Sequence, residues 1–231
     1  MMENLILIET STSLCSVALA RDGKVISERI SSEPRAHASL TAVFVSEVLQ
    51  EAGIKAADCS AVAVGKGPGS YTGLRVGVST AKGLCFGAGI PLISVGTLDT
   101  LAWQAKDEGL LPEGCRHIVP MVDARRMEVY TGIFTPEGRQ TSPTEAMIVE
   151  DNSFGTLLEE GPVLFIGDGA DKCKDVLTHP NAHFVQCCPK ASAMLHPALH
   201  SLSDGAIEDV AYFEPFYLKE FTTTVSKKNL F

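Results

Sequence analysis

A glycine-rich stretch at residues 65 to 77 combines the residue types that can hold an anion. It has the sequence GKGPGSYTGLRVG, follows a short apolar run at 61 to 65 and leads into a helical pattern. Glycine and proline make tight turns with outward-facing N–H groups, and Ser or Thr caps a helix that follows. The positive end of that helix could then bind a phosphate. The candidate phosphate-contacting residues are Gly67, Gly69, Ser70, Thr72 and Gly73.

The same stretch also fits a structural interpretation, because it departs from the known phosphate-binding motifs. Lys66 precedes the glycines, whereas a P-loop places its lysine after them. Gly73 stands one place too late for a dinucleotide-binding G-x-G-x-x-G pattern. A tight turn that brings two backbone segments close together would need the same glycines. Both interpretations stay open at this point.

Two further charged sites lie beside predicted strands. Asp168 stands between two glycines after an apolar run, where it either contacts a phosphate or completes a turn. Asp123, Arg125 and Arg126 lie between two predicted strands. A cluster of this kind forms a solvated turn or an internal ion pair, or it contacts a partner or a phosphate. The role of Arg125 and Arg126 is left open by the sequence.

The histidines and cysteines do not predict a metal site. Two pairs of histidines have a spacing of four residues, His179 with His183 and His196 with His200. A proline lies within each pair and disfavours the continuous helix that would align the rings. The adjacent Cys187 and Cys188 are poorly arranged to chelate one tetrahedral ion. The seven cysteines are scattered without a C-x-x-C pair, as is typical of reduced thiols.

Composition limits the classes of function. The 231 residues include 19 basic and 28 acidic side chains, and the resulting net charge of −9 argues against unaided binding of nucleic acid. Hydrophobic residues make up 45% of the chain, but no run is long enough to cross a bilayer. The first residues, MMENLILIETSTS, lack a basic region and predict a strand. We therefore expect a cytoplasmic protein without membrane contact.

Hydrophobic patterns and turn residues predict an alternation of strands and helices in the first half of the chain. A D-G turn at residues 22 and 23 joins two of the strands in an antiparallel meander. The predicted strands are 4 to 9, 14 to 20, 24 to 30, 61 to 65 and 91 to 94. The predicted helices are 36 to 51, 72 to 87 and 97 to 106.

The second half repeats this order loosely. Its predicted strands are 117 to 122, 127 to 134, one after the turn at 136 to 138, and 163 to 166. Its predicted helices are 153 to 159, 170 to 177 and 190 to 202. We predict an α/β protein with an N-terminal lobe at 1 to 110 and a C-terminal lobe at 115 to 231. The last helix is a candidate for packing back on the first lobe.

Four stretches together resemble the TsaB (YeaZ) family: IETS at 8 to 11, GPGSYTGLRVG at 67 to 77, VDARRMEVY at 122 to 130 and PFYLK at 215 to 219. The resemblance implies an actin-like fold of the ASKHA type with two ribonuclease-H-like lobes. It also implies a non-catalytic partner of TsaD, the subunit that transfers threonylcarbamoyl to the adenosine beside the tRNA anticodon. TsaE, an ATPase, and tRNA would meet this chain only through that complex.

Differences from the TsaD pattern imply an accessory subunit without catalytic residues, metal or required cofactor. TsaD-type sequences carry V-N-H-[LM]-E-G-H, whereas Thr97 and Leu101 occupy the two histidine positions here. Ser13 and Leu14 replace the carboxylates of the first loop, and no D-N-[AG]-x-M run follows. Two alternatives remain. The first is an ATP-dependent phosphotransferase, for which Glu9 is the only first-strand carboxylate. The second is a glycoprotease-like metallopeptidase.

The helices at 36 to 51 and 72 to 87 carry apolar residues on more than one side, which predicts a surface for a partner. The resemblance implies that these helices form a bundle with those of a second copy or of TsaD, so we expect a homodimer when the chain is alone. The alternative is that both helices are covered within their own lobe. The predicted interface residues are Leu40, Phe44, Val45, Val48, Leu49, Leu74 and Val78.

Overall fold

The computed structural model describes residues 3 to 219, which form two five-stranded sheets with covering helices. The first sheet contains β1 (Asn4–Glu9), β2 (Cys15–Arg21), β3 (Lys24–Ser31), β4 (Ala61–Gly67) and β5 (Leu92–Gly96). Its order is β3-β2-β1-β4-β5. The first three strands form an antiparallel meander, and β4 and β5 continue the sheet in parallel with β1.

The second sheet repeats this plan. It contains β6 (His117–Asp123), β7 (Glu128–Thr131), β8 (Glu145–Ile148), β9 (Val163–Ile166) and β10 (Ala182–Val185). Its order is β8-β7-β6-β9-β10, again an antiparallel meander extended by two parallel strands. The two predicted halves of related plan are therefore present as two sheets of the same topology.

The described residues form five α-helices: α1 (His37–Glu51), α2 (Tyr71–Ala88), α3 (Thr97–Asp107), α4 (Gly155–Glu160) and α5 (Leu195–Ser203). Single 3₁₀ turns occur at Ala56–Asp58, Asp171–Cys173 and Ala191–Met194. The predicted helix at 170 to 177 is wrong, because only the turn at Asp171–Cys173 forms before the chain enters β10. Strand β10 was not predicted. No helix within residues 3 to 219 is long and apolar enough to span a membrane.

Helices cover both faces of the first sheet, so its central strands are apolar on both sides. Alternate residues point to opposite faces. Ile6 and Ile8 contact the core under α1 and α2. Leu5 and Leu7 contact the core under α5 and the turn before it. The last helix thus packs on the first sheet, although it follows the second sheet in the chain.

Helix α3 packs against the second sheet. Leu98 and Leu101 are fully buried beside Ile118, Leu164 and Ile166. Helix α3 contacts β4 and β5 of the first sheet as well as β6 and β9 of the second, so it connects the two sheets, and α5 packs beside it. The loops after the parallel strands are positioned by this arrangement.

Candidate functional site

The glycine-rich loop is bonded to the loop that follows β1. Ser70 caps α2, since its hydroxyl accepts the Gly73 N–H at 3.3 Å. The Ser70 N–H donates to the Ser11 carbonyl oxygen at 2.6 Å. The Thr10 hydroxyl donates to the Gly73 carbonyl oxygen at 2.9 Å. The start of α2 and residues 10 and 11 therefore form one closely packed unit.

Close backbone packing explains the glycines of this loop. A Cβ atom on Gly69 would overlap the backbone of Ser11, and one on Gly73 would overlap the Thr10 carbonyl oxygen. The space beside these glycines is filled by the chain itself, as the structural interpretation requires. Thr72 is exposed, and Gly67 lines a cleft beside Lys66 and Asp99. A phosphate contact at these residues stays a prediction.

Gly67 lines an open cleft of about 670 Å³ between the glycine-rich loop and residues 140 to 144, which lead into β8. Lys66 and Asp99 place opposite charges in this cleft. Burial raises the pKa of the Asp99 carboxyl, and the charge of Lys66 acts in the opposite direction. Phe216 closes one side of the cleft, and its N–H donates to the Lys66 carbonyl oxygen at 2.7 Å.

Asp168 does not line this cleft, and its carboxylate has a local partner. One oxygen accepts the Asp123 N–H at 2.9 Å, and the Asp168 carbonyl oxygen accepts the side-chain amide of Gln186 at 2.9 Å. Burial raises the pKa of the Asp168 carboxyl. Asp168 is thus placed beside the β6–β7 turn, and the structure does not bring it to the loop at Gly67.

A buried carboxyl group lies at the end of β1. Glu9 is fully buried, and its Oε1 accepts the Ser11 N–H at 2.6 Å. Its Oε2 lies over Gly65, where a Cβ atom would be only 2.6 Å away. Burial raises the pKa of Glu9 to about 7. In the described part of the chain, four buried side-chain oxygens lack a hydrogen-bond partner: Glu9 Oε2, Ser11 Oγ, Thr12 Oγ1 and Thr97 Oγ1.

The two positions compared with the TsaD histidines hold no strong metal ligand. Leu101 is part of the buried core, and Thr97 offers only a fully buried hydroxyl. Ser13 is exposed and lies with its Oγ 3.5 Å from Cys188 Sγ. Within residues 3 to 219, no three His, Cys, Asp or Glu side chains are grouped to hold a metal ion.

The family model described as TsaD, tRNA N6-adenosine threonylcarbamoyltransferase, matches residues 24 to 218. The tRNA threonylcarbamoyladenosine biosynthesis protein TsaB of Escherichia coli K12 is 31% identical over 219 residues, which are 92% of this chain and 93% of that protein. The chain belongs to the TsaB family. The TsaB of Bacillus subtilis 168 is 33% identical over 174 residues, 74% of this chain and 73% of its own.

Solved structures of this family have the same fold. The structure titled YeaZ from Pseudomonas aeruginosa has a TM-score of 0.77 at 27% identity, covering 94% of this chain and 100% of its own. A second Pseudomonas aeruginosa structure, titled as an uncharacterized protein with similarity to peptidase YEAZ, has a TM-score of 0.83 at 28% identity and the same coverage. The predicted family and the predicted α/β fold with two halves of related plan are confirmed.

Most of the predicted interface residues are buried inside the chain, and the prediction is wrong for them. Helices α1 and α2 both pack on the same face of the first sheet, so their apolar stripes face inward. Leu40 and Phe44 are only partly buried. The five residues that are at most 8% exposed are Val45, Val48, Leu49, Leu74 and Val78.

The residues that α1 and α2 expose differ from the predicted interface residues. We call this surface, made of the exposed residues of α1 and α2, the outer helical face. Phe86 is 87% exposed and Val43 is 46% exposed on it. The remaining exposed residues are mostly small, which permits close approach by another helix. They include Ala38, Ser39, Ala42 and Ser46 on α1, and Ser79, Gly83 and Gly87 on α2.

Proposed function

We propose that this chain is a non-catalytic partner subunit in tRNA threonylcarbamoyladenosine biosynthesis, and that it pairs with a TsaD-type transferase. The names of the TsaB relatives support the pathway. The observation that supports an accessory role most strongly is the burial of Leu101 in the hydrophobic core at a position where the transferase pattern has a metal-binding histidine. The Leu101 side chain has no atom that can ligate a metal, and it packs in the core instead.

The surroundings of Glu9 support the same conclusion. A carboxylate that holds magnesium beside a nucleotide must be ionised and accessible to the ion. Glu9 is fully buried against Gly65 and has a pKa of about 7. The carboxyl group therefore serves the packing of the β1 loop rather than a magnesium site at the surface.

We propose that the outer helical face binds the partner subunit, and that it forms a homodimer when the chain is alone. Phe86 is a large aromatic side chain standing among small residues, which is a favourable arrangement for an interface anchor. Because α1 and α2 present one continuous outward surface, a second pair of helices can pack on it as a four-helix arrangement. A copy of this chain and a TsaD-type protein would compete for it.

Reconstitution of the modification reaction tests the main proposal. TsaD, TsaE and the carbamoylating enzyme are combined with tRNA, with and without this chain, and modified adenosine is measured. We expect modification to depend on the chain. Full activity in its absence would contradict the accessory role.

The Phe86→Asp variant tests the proposed interface. Because Phe86 is exposed, the variant should remain folded but elute as a monomer and fail to pair with TsaD. Ile148→Asp is the matched control, since Ile148 is 63% exposed on β8, away from both helices. Equal elution volumes and equal TsaD binding for Phe86→Asp and the wild type would show that the interface lies elsewhere.

The cleft at Lys66 favours one alternative, an enzyme that uses ATP, because it is open and has a cationic side chain beside the glycine-rich loop. Titration calorimetry of the isolated chain with magnesium ATP separates the two functions. Tight binding accompanied by turnover would favour the phosphotransferase. Metal analysis of the purified chain tests the metallopeptidase in the same way.

A further inference from the structure

The turn between β6 and β7 holds two arginines in an unusual backbone conformation. Arg125 has φ of 72° and Arg126 has φ of 51°, so both lie in the left-handed region. This region is populated mainly by Gly, Asn and Asp, and it is disfavoured for residues with other side chains. Arginine gives the turn no conformational benefit, so its presence requires another explanation.

Hydrogen bonds around the turn hold this conformation in place. The Arg125 N–H donates to the Asp123 carboxylate at 3.0 Å, and the Glu128 N–H donates to the Arg125 carbonyl oxygen at 3.1 Å. Asp168 accepts the Asp123 N–H at 2.9 Å. Lys172 pairs with the Asp123 carboxylate and donates to the Glu128 carbonyl oxygen at 2.7 Å. The turn is therefore a supported and well-defined element.

The two guanidinium groups themselves have no partner among residues 3 to 219. Both arginines are exposed, and neither makes an ion pair or a side-chain hydrogen bond with the described part of the chain. The acidic side chains of the same turn are already paired, Asp123 with Lys172 and Glu128 with Lys219. Both guanidinium groups are thus exposed, and the acidic side chains of the turn do not neutralise their charges.

The chemistry of this tip fits a phosphate backbone. A guanidinium group pairs with phosphate oxygens through two parallel N–H donors. An interface with another protein normally has an apolar centre. At the tip, however, the exposed side chains are Asp123, Arg125 and Arg126, all of them charged. With a net charge of −9, the chain offers RNA few favourable contacts, so a small cationic tip would act only when the rest of a complex holds the RNA nearby.

We propose that Arg125 and Arg126 contact the phosphate backbone of RNA when the chain is part of its complex. The inference rests on the proposed function, because that function supplies the RNA. It adds a binding site in the second half of the molecule, distinct from the outer helical face. The contact positions RNA by charge and does not recognise its sequence.

Two double variants separate charge from backbone geometry. Arg125→Asn with Arg126→Asn removes both charges and places in the turn a residue that accepts the left-handed region. Arg125→Lys with Arg126→Lys keeps both charges. The affinity of the reconstituted complex for a tRNA transcript is measured by fluorescence anisotropy at several salt concentrations. We expect the Asn variant to lose roughly tenfold in affinity and the slope of log K against log salt to fall by about 1 to 2.

The Lys variant should retain most of the affinity and the salt slope of the wild type. The melting temperature of the free Asn variant should be equal to or above that of the wild type, because asparagine suits the turn better. Unchanged affinity and slope in the Asn variant would overturn the inference. Loss of TsaD binding by this variant without RNA would also overturn it, because it would show a protein contact. If instead the wild-type chain changes neither RNA binding nor modification, the proposed function itself fails.

Discussion

The two sheets have the same strand order, but the connections between their strands differ greatly. In the first half, β3 leads to β4 through the 15-residue helix α1, and β4 leads to β5 through the 18-residue helix α2. The corresponding connections in the second half contain the six-residue helix α4 and a three-residue turn. The strand order can thus be kept while the helical cover is reduced. The first half has two long helices, and their outer helical face is the interface proposed above.

The loops after the first strand of each sheet show a second difference. Glu9 ends β1 and is fully buried, whereas Asp123 ends β6 and is exposed. The loop after Glu9 is covered by the start of α2, because Gly69 and Gly73 let the backbones approach. Among residues 3 to 219, no such helix covers the turn after Asp123, and its two arginines are exposed. The same position in the fold therefore supports packing in one half and an exposed charged tip in the other.

The largest expected effect concerns the difference in burial between the inner and outer sides of α1. Val48→Asp places a charge at a site with 0% exposure and should cost more than about 4 kcal/mol of the free energy of unfolding. Val43→Asp changes a residue that is 46% exposed and should cost within about 0.5 kcal/mol in the monomer. Urea unfolding of both changes, made in the monomeric Phe86→Asp variant, measures the difference, and comparable losses would contradict the inward assignment of Val48.

A second expected effect concerns the buried carboxyl of Glu9. Its folded pKa of about 7 lies above the ordinary value of 4.5, so the folded chain binds this proton more tightly than the unfolded chain does. The stabilisation is complete below pH 4.5 and is lost as the pH rises through 7, a change of roughly 3 kcal/mol. Urea unfolding between pH 4.5 and 8 measures this slope.

Glu9→Gln is the matching variant, because glutamine has nearly the same shape and does not titrate. The contribution of this site to the pH slope should disappear, and the variant should exceed the wild type in stability at pH 8. A variant that retains the full slope would show that Glu9 is not its source.

The smallest of the three effects compares two glycines in α2. Gly73→Ala would force a Cβ atom against the Thr10 carbonyl oxygen and should destabilise the chain by about 1–3 kcal/mol. Gly83→Ala meets no atom within 4 Å and should stabilise the helix by roughly 0.5–1 kcal/mol. Thermal unfolding of the two variants gives opposite shifts in melting temperature if close backbone contact explains the glycine at 73. A neutral Gly73→Ala variant would refute that explanation.

Elements with strong local signals could be predicted from the sequence. The D-G turn and its flanking apolar runs predicted β2 and β3 within one residue at most of their ends. Strand β10 could not be predicted in this way, because its four residues include His183 and carry little strand pattern. It forms because it adds in parallel to β9, a contact that depends on the folded sheet.

The candidate site was also predictable only where its features depend on neighbouring residues in the sequence. Glycine spacing at 67 to 73 predicted a tight turn before a helix, and Ser70 does cap α2. The sequence could not show that Ser11 and Thr10 would fill the space beside Gly69 and Gly73. A helical projection of α1 could not show which of its apolar sides faces inward. That depends on the sheet face on which α1 and α2 both pack.

Residue order by itself determined the family, the alternation of strands and helices and the loss of histidines at 97 and 101. These properties depend on local residue patterns and on the identity of single positions. The tertiary structure alone decided that Glu9 is buried and that Val48 faces the sheet while Phe86 faces outward. It also decided that two arginines on a turn with positive φ lack a side-chain partner in the described part of the chain. Burial, pKa and exposure depend on which distant segments pack together, and no single segment contains that information.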